Sequence, residues 1–225
     1  MRFAVIQLAR NCEWYYLREF PALWKELQAV LKNQAHFFCL ENDSTDNTVT
    51  AAQCFGHVLS LPAHTVGFLT QRCTARTAWM AELRNQAANW VAGFGAFDYY
   101  VWLDTNIYFT ASTIQKLLNA ITSDPTIGLA GANTIQAGCK DHYYDTYALR
   151  TPGCLWRECP LCQGPFCKQD IVEVPSAFGG LCFIRELCTF AADHNKCEHV
   201  YMCAKLRDRG YRVVVVGPAR ATWVP

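Results

Sequence analysis

The chain has 225 residues, of which 52% are hydrophobic and only 17% are charged. This composition excludes an intrinsically disordered chain, and the length is sufficient to bury a core without disulfide or metal staples. The net charge of +1 argues against a nucleic-acid partner attracted by bulk charge. The longest aliphatic run, 213–216, is far shorter than the roughly 20 apolar residues of a membrane span, so we expect no membrane span.

The cysteine content bears on the cellular compartment. The thirteen cysteines are an odd number, and the N-terminal segment MRFAVIQLAR is too short for a signal peptide. Three of them, Cys39, Cys182 and Cys203, stand within apolar runs, which is typical of buried free thiols. These features predict reduced cysteines and a cytoplasmic location.

The apolar pattern alternates between strand-like and helix-like segments, which predicts an α/β domain. The predicted elements, in chain order, are a strand at 3–8, a helix at 17–30, strands at 36–40 and 57–61, a helix at 75–91, a strand at 98–103, a helix at 112–121, strands at 127–132 and 180–184, a helix at 198–209 and a strand at 211–216. We expect Pro21 in a first helical turn, Asp43 or Ser44 as a helix cap, Gly210 as a helix stop and Pro218 at the end of the last strand. No repeat or flexible linker interrupts this order, so a single domain over 1–225 is predicted.

Periodicity fades between residues 138 and 170, where Cys, Pro, Gly and aromatic residues accumulate. A long ordered loop of this kind is usually functional in a compact domain. Its cysteines Cys154, Cys159, Cys162 and Cys167 follow the pattern C-x4-C-x2-C-x4-C, and four thiolates can bind zinc tetrahedrally. Because one pair alone has the tight CxxC spacing, we predict unliganded thiols, with a zinc staple as the alternative.

Four polar clusters lie where predicted strands end or helices begin, and open parallel sheets bind their ligands at such an edge. They are residues 41–46, Arg84-Asn85, Asp104-Thr105-Asn106 and Cys197-Glu198-His199. Asp104 and Asn106 are two residues apart at a strand end, so their side-chain oxygens can share a divalent cation. Each cluster also has a structural alternative, namely an Asx turn, a solvated helix face, a turn cap or a helix-capping glutamate. The chain has no GxGxxG motif after its first strand and no GxxxxGK[ST] motif, so dinucleotide and P-loop sites lose their main support.

The order of these motifs resembles that of the GT-A glycosyltransferases, and the family-2-type enzymes in particular. The resemblance extends over 3–218, and it is carried by the segments LENDSTDNT, RNQAANWVAGFGAFDYYVWLDTN and CEHVYMCAKLRDRGYRVVVV. YYDTYALR and VPSAFGGLCFIR are more distantly similar to segments of fungal capsule-type and large-DNA-virus glycosyltransferases. The resemblance implies a single GT-A, Rossmann-like α/β domain, in which helices flank a mostly parallel central sheet and 138–170 form a Cys-rich loop or insertion.

The resemblance also implies a function, the transfer of a sugar from a nucleotide-sugar donor, with UDP favoured, to a hydroxyl group of a glycan or glycoprotein acceptor. Mn²⁺ or Mg²⁺ is the implied cofactor. The residues implied for donor binding are Gln7, Ala9, Arg10, Glu41, Asp43, Arg76, Arg84, Asp104 and Thr105. The implied metal ligands are Asp104, Asn106 and His199, and the candidate catalytic residues are Glu198, His199 and Asp145. The chain departs from the family twice, with Asn106 at the position of a metal-binding carboxylate and His199 at the position of an aspartate.

Two other functions remain open at this point. A degenerate GT-A domain would bind a nucleotide or a partner without turnover, and the amide at Asn106 favours that alternative. A nucleotidyltransferase would also use an α/β sheet and a divalent ion. It would usually carry a Gly-rich loop with Lys or Arg after the first strand, where this chain reads QLARNCEW.

Overall fold

The structure, a computed structural model, describes residues 1–61, 74–138, 143–145, 147–151, 170–192 and 197–224. Its strands are β1 (Phe3–Ala9), β2 (Ala35–Asn42), β3 (Gly56–Leu61), β4 (Tyr99–Leu103), β5 (Ile107–Tyr108), β6 (Ile127–Gln136), β7 (Ile171–Glu173), β8 (Leu181–Ile184) and β9 (Arg212–Trp223). Its helices are α1 (Phe20–Val30), α2 (Thr48–Gln53), α3 (Thr74–Ala92), α4 (Ala111–Ser123) and α5 (Glu198–Asp208), and a π-helical turn, Tyr15–Glu19, leads into α1. The predicted alternation of strands and helices is confirmed.

The strands form one nine-stranded sheet with the order β3-β2-β1-β4-β8-β6-β9-β5, and β7 pairs with β9. The first four strands of this order run parallel. Strand β8 runs antiparallel to both of its neighbours, β4 and β6, whereas β6 and β9 are parallel. The predicted α/β fold is thus confirmed, and its sheet is mixed, with a parallel half whose carboxyl ends lie along one edge.

Strand β1 shows why a continuous apolar run marks the centre of such a sheet. Phe3 and Val5 belong to the core on one face, which α1 and α4 cover. Ala4 and Ile6 belong to the core on the other face, which α3 and α5 cover. Because successive side chains of a strand point to opposite faces, burial on both faces requires apolar residues at every position.

The predicted cap of the helix after β2 is wrong. The helix after β2 begins after Asn47, and it is Asp46 that accepts a hydrogen bond from its first residue, Thr48. Asp43 instead adopts a left-handed backbone conformation, with φ +58°. Ser44 accepts a hydrogen bond from the backbone of the loop after β1. Neither residue caps the helix, because α2 starts at Thr48 and a capping residue stands directly before the first helical turn.

Pro218 does not end the last strand, which continues to Trp223. The register with β6 jumps between Ala132 and the next residue, whose partner is Arg220. Residues 217–219 therefore bulge out of the ladder. Because residues of a bulge are not paired, the missing backbone N–H of Pro218 costs no ladder hydrogen bond. Gly210, with φ +86°, follows the end of α5 as predicted.

The described cysteines are free thiols, and most of them are buried, as the apolar runs around them predict. Cys154, Cys159, Cys162 and Cys167 lie outside the described residues, so the zinc alternative stays a prediction. Within the described ranges, no helix combines the length and apolarity needed to cross a membrane.

Candidate active site

A cavity of about 880 Å³ opens at the edge where β1, β2 and β4 end. Most of the residues predicted for the site line it. They are Ala9, Arg10, Asp43, Arg76, Arg84, Asp104, Thr105, Asn106, Asp145, Glu198 and His199. Open α/β sheets bind their ligands at the carboxyl ends of the strands, so the cavity is the candidate active site.

Arg84 of α3 lies between two carboxylates of this cavity. Its Nε atom is 3.2 Å from Glu198 Oε1, and its Nη2 atom is 3.5 Å from Asp104 Oδ1. The guanidinium group also lies over the ring of Phe178, at 4.9 Å from the ring centre. Both Arg84 and Glu198 are buried. Arg84 therefore joins the end of β4 to the start of α5, and both carboxylates share its charge.

Asp104 is the first residue after β4. Its backbone N–H donates to the carbonyl oxygen of Gly180 at 2.8 Å, and a third of its side chain is exposed. Burial raises the pKa of Asp104, and the charge of Arg84 offsets part of that rise. Thr105 and Asn106 follow it into the cavity, and Thr105 Oγ1 accepts a hydrogen bond from the Cys12 thiol at 3.4 Å.

Both oxygens of the Glu198 carboxylate contact other side chains. Oε1 accepts a hydrogen bond from Arg84 and lies 3.4 Å from His199 Nδ1, and Oε2 accepts a hydrogen bond from the Cys197 thiol at 3.3 Å. Burial opposes ionisation of Glu198, but the adjacent His199 and Arg84, together with the hydrogen bonds to the carboxylate, outweigh burial, so the pKa of this carboxyl group lies below its ordinary value. Glu198 is thus held as an anion.

His199 is buried beside it and stacks on Phe178, with ring centres 3.9 Å apart. Burial and the charge of Arg84 lower the pKa of His199 to about 3, so the imidazole is neutral at physiological pH. Its Nε2 atom has no hydrogen-bond partner among the described residues. A neutral imidazole with a free nitrogen is suited to metal ligation.

Asp145 lies in the described segment after β6 and is half-buried. Its Oδ1 atom accepts from the backbone N–H of Ala148 at 3.2 Å, and Oδ2 accepts from that of Gly179 at 3.2 Å. Burial raises the pKa of Asp145 to about 6, and the nearby charges of Asp104 and Glu198 add to the rise. Asp145 is thus a cavity carboxylate that holds a proton more readily than a free aspartate does.

Gln7 and Glu41 are not among the residues that line the cavity. The side-chain amide of Gln7 is buried between Tyr15 and Tyr16 and is hydrogen-bonded to both hydroxyl groups. Glu41 is buried and accepts from the backbone N–H of Ser44 and from the hydroxyl group of Ser60. Both residues hold the loops that form the cavity wall.

The sequence analysis missed the aromatic lining of the cavity, which includes Trp14, Tyr144, Tyr147 and Phe178. Trp14 is the most exposed of them, at 51%. The signal for Trp14 was present in QLARNCEWYY, because three consecutive aromatic residues follow the loop after the first strand. No comparable pattern marks Phe178, which reaches the cavity through tertiary contacts with Arg84 and His199.

Comparisons with protein-family models and with curated proteins find no match. Solved structures are similar over nearly the whole chain. TarS of S. aureus (residues 1–349) is 13% identical with a TM-score of 0.63, over 100% of this chain and 60% of that one. A mannosyltransferase from Pyrobaculum calidifontis, solved with GDP-Man and Mn²⁺, is 14% identical with a TM-score of 0.62, over 98% and 56% of the two chains.

A third similar structure is GalNAc-T7 with UDP, GalNAc and Mn²⁺, which is 14% identical with a TM-score of 0.60 and is matched over 100% of this chain and 44% of that one. The chain thus spans about half the length of these proteins. Identities this low show a common fold and leave the activity to be tested. The likeness nevertheless agrees with the sequence resemblance, and the chain has the fold of the GT-A glycosyltransferases.

Proposed function

We propose that the protein is a glycosyltransferase that moves a sugar from a nucleotide-sugar donor to a hydroxyl group of a glycan or glycoprotein acceptor. The observation that carries the proposal is the position of Asp104. This carboxylate stands at the end of β4 in a large cavity, together with the cations Arg10 and Arg76 and the second carboxylate Asp145. A leaving diphosphate needs cations, and an acceptor hydroxyl needs a base.

The donor would lie along the strand ends. Arg10 and Arg76 are the cavity cations that can bind its phosphates, and Asp43 offers a carboxylate to ribose hydroxyl groups. The exposed indole of Trp14 can stack on a nucleobase. A uridine donor is favoured because TarS has been solved with UDP-GlcNAc and GalNAc-T7 with UDP. The GDP-Man complex of the archaeal mannosyltransferase keeps guanosine as the alternative.

The side-chain oxygens of Asp104 and Asn106 are suited to bind a divalent cation. Asp104 supplies a carboxylate and Asn106 an amide oxygen, which are the ligand types that Mg²⁺ and Mn²⁺ prefer. The free, neutral nitrogen of His199 is the candidate third ligand. When bound, the ion would neutralise the negative charge that develops on the departing diphosphate. Arg84 keeps Asp104 oriented through its ion pair and lowers the net negative charge at that carboxylate.

A nucleotide-release assay tests the proposal. The chain is incubated with UDP-, GDP-, CDP- and dTDP-sugars and Mn²⁺, with and without EDTA, in the presence of sugar acceptors. We expect release from one donor class, and we expect EDTA to abolish it. Asp104→Asn should abolish release, whereas Asp208→Asn, a change at an exposed position of α5, should leave it unchanged. Absence of release from every donor would contradict the proposal.

The second candidate is a binding domain without turnover. Asn106 in place of a carboxylate and the engagement of Asp104 by Arg84 both favour it, because they weaken a cation site. Thermal stabilisation separates the two functions, since a donor that binds raises the apparent stability whether or not it reacts. A clear thermal shift with Mn²⁺ and a nucleotide sugar, without any release, would favour the binding domain. The cytoplasmic location is also part of the proposal, and it rests on the free thiols.

A further inference from the structure

The three candidate catalytic residues of the sequence analysis, Glu198, His199 and Asp145, all line the cavity, and each type of side chain can accept the proton of an acceptor hydroxyl group. A general base needs a free lone pair that faces the substrate and a pKa not far below the working pH. These requirements separate the three candidates, and the separation rests on the function proposed above.

Both carboxylate oxygens of Glu198 are already in contact with other side chains of the protein. Arg84 and His199 lie against Oε1, and the Cys197 thiol donates to Oε2. Its side chain is only 7% exposed. A carboxylate held by a buried guanidinium gives up that interaction when it takes a proton, so Glu198 is a poor base. Its contacts instead fix the start of α5 against α3.

His199 fails for a different reason. Its ring stacks on Phe178 and is buried against the edge of Phe190. Its Nε2 atom is buried as well, so the ring offers no exposed nitrogen to an acceptor hydroxyl group. His199 is therefore a poor candidate for proton transfer.

Asp145 meets both requirements. Each carboxylate oxygen accepts one backbone N–H, from Ala148 and from Gly179. Because a carboxylate oxygen has two lone pairs, each oxygen keeps one for a substrate hydroxyl group. The two amides fix the plane of the carboxylate without adding a full positive charge. Asp145 is therefore oriented, half-buried and still basic.

The turn Gly179-Gly180 links this carboxylate to the other end of the site. Gly179 donates its N–H to Asp145, and the carbonyl oxygen of Gly180 accepts the N–H of Asp104. Both glycines have positive φ, +71° and +70°. A Cβ atom at the first would lie 2.6 Å from the Ala132 carbonyl oxygen, and one at the second 2.5 Å from Ile107. Two glycines are required here, and one rigid turn positions both carboxylates.

We propose that Asp145 is the general base of an inverting transfer, with Gly179 as its positioning residue. Asp145 takes the proton of the acceptor hydroxyl group while the oxygen of that group forms a bond to the anomeric carbon. The bond between that carbon and the diphosphate breaks, and its electron pair leaves with the nucleotide. Attack and departure on opposite sides of one carbon invert its configuration, so an α-linked donor gives a β-linked product.

The charged and titratable groups that act on Asp145 are Asp104 and Glu198, which favour its protonation, together with Tyr143 and Cys197, whose ionisation it opposes. With the pKa of Asp145 at about 6, the base is ionised at pH 7 and above. The rate should therefore fall as the pH drops through about 6.

The test compares wild type, Asp145→Asn, Asp145→Glu and the control Asp208→Asn, with the donor that the release assay identifies. We expect Asp145→Asn to lower kcat by about a hundredfold or more, the usual scale for a general base. Its dissociation constant for the donor nucleotide should stay unchanged by calorimetry. The acidic fall of the rate near pH 6 should disappear. Azide is an anion that has no proton to lose and so needs no general base. With azide as the acceptor, the rate of Asp145→Asn should lie within about threefold of the wild-type rate.

Retention of configuration in the wild-type product, read by NMR, would overturn the proposal. So would an Asp145→Asn variant that keeps the wild-type rate with the sugar acceptor. If Asp145→Asn does not fold, Asp145→Glu replaces it, since a carboxylate displaced by one methylene should lower kcat and keep the pH dependence. Absence of nucleotide release by wild type would contradict the glycosyltransferase function itself, which is a distinct result.

Discussion

The ion pair between Arg84 and Glu198 makes a strong prediction about stability. Both side chains are almost completely buried, with 4% and 7% exposure, so solvent screens their interaction little. Arg84→Met keeps most of the side-chain volume but leaves Glu198 as a buried anion without its cation. Removal of one partner of a buried pair usually costs about 3–5 kcal/mol. Loss of the guanidinium over Phe178, at 4.9 Å, adds about 0.5–1 kcal/mol.

Removal of the other partner should cost less. In Glu198→Gln the guanidinium keeps Asp104 at 3.5 Å and can donate to the new amide oxygen, so we expect a loss of about 1–3 kcal/mol. The double variant leaves neither buried charge of this pair. The double variant should therefore lose about 2 kcal/mol less free energy of unfolding than the two single variants lose together, because removing both partners leaves no unpaired buried charge.

Urea unfolding followed by tryptophan fluorescence measures these losses, and the chain has seven tryptophans. Arg212→Met is the matched control. Arg212 also contacts two carboxylates, those of Asp124 and Glu173, but all three side chains are more than a third exposed, so we expect a loss below about 1 kcal/mol. The assigned ion pair would be refuted if the free energy of unfolding of Arg84→Met lay within about 1 kcal/mol of wild type. It would also be refuted if the losses of the two single variants added up to that of the double variant.

Four further predictions concern two carboxylates, the thiols and the zinc content. Because the folded-state pKa of Asp145 is raised to about 6 from roughly 3.9 in the unfolded chain, the contribution of Asp145 to the free energy of unfolding falls as the pH rises from 4 to 7. The free energy of unfolding of Asp145→Asn, measured relative to wild type in urea titrations, should thus rise by up to about 3 kcal/mol over that interval. A difference that does not change with pH would contradict the raised pKa. Asp104→Ala should abolish Mn²⁺-dependent donor binding in calorimetry while the thermal transition remains, and wild-type affinity would exclude Asp104 as a ligand. Thiol counting in denaturant without reductant should find most of the thirteen cysteines reactive, and metal analysis should find less than about a tenth of an equivalent of zinc. Recovery of mostly disulfides, or of one zinc per chain, would overturn these expectations.

The sequence could predict the strand ends because a buried strand followed by polar residues is a local pattern. Asp104 after YYVWL is the clearest case, since the apolar run fixes the strand and the carboxylate follows it. The same logic placed Arg10 and Asp43 at the cavity. Gln7 and Glu41 stand equally close to the strand ends, but their side chains point to buried partners in the Tyr15 and Ser60 segments. Residue type and position cannot distinguish these cases, because the partners are set by the tertiary fold.

The bulge at Pro218 and the Arg84 ion pair were beyond prediction for a related reason. The bulge depends on the register of β9 against β6, which no local pattern reveals. The Arg84 contact joins residues 114 positions apart. From sequence, an arginine on an Ala-rich helix indicates a solvated face or a phosphate contact. Only the packing of α3 on α5 turns it into the counter-ion of a buried glutamate.

Three carboxylates of one cavity differ in their environment far more than in their chemistry. Glu198 touches a guanidinium, a thiol and an imidazole, and its pKa is lowered. Asp104 touches the same guanidinium at a longer distance and is partly exposed, so it stays able to exchange that contact for another cation. Among the described residues, the carboxylate of Asp145 accepts hydrogen bonds from two backbone amides, and its pKa is raised. Because Arg84 contacts two of the three and not the third, its position gives these acids three different environments, and the proposals above assign to them the roles of structural anion, cation ligand and base.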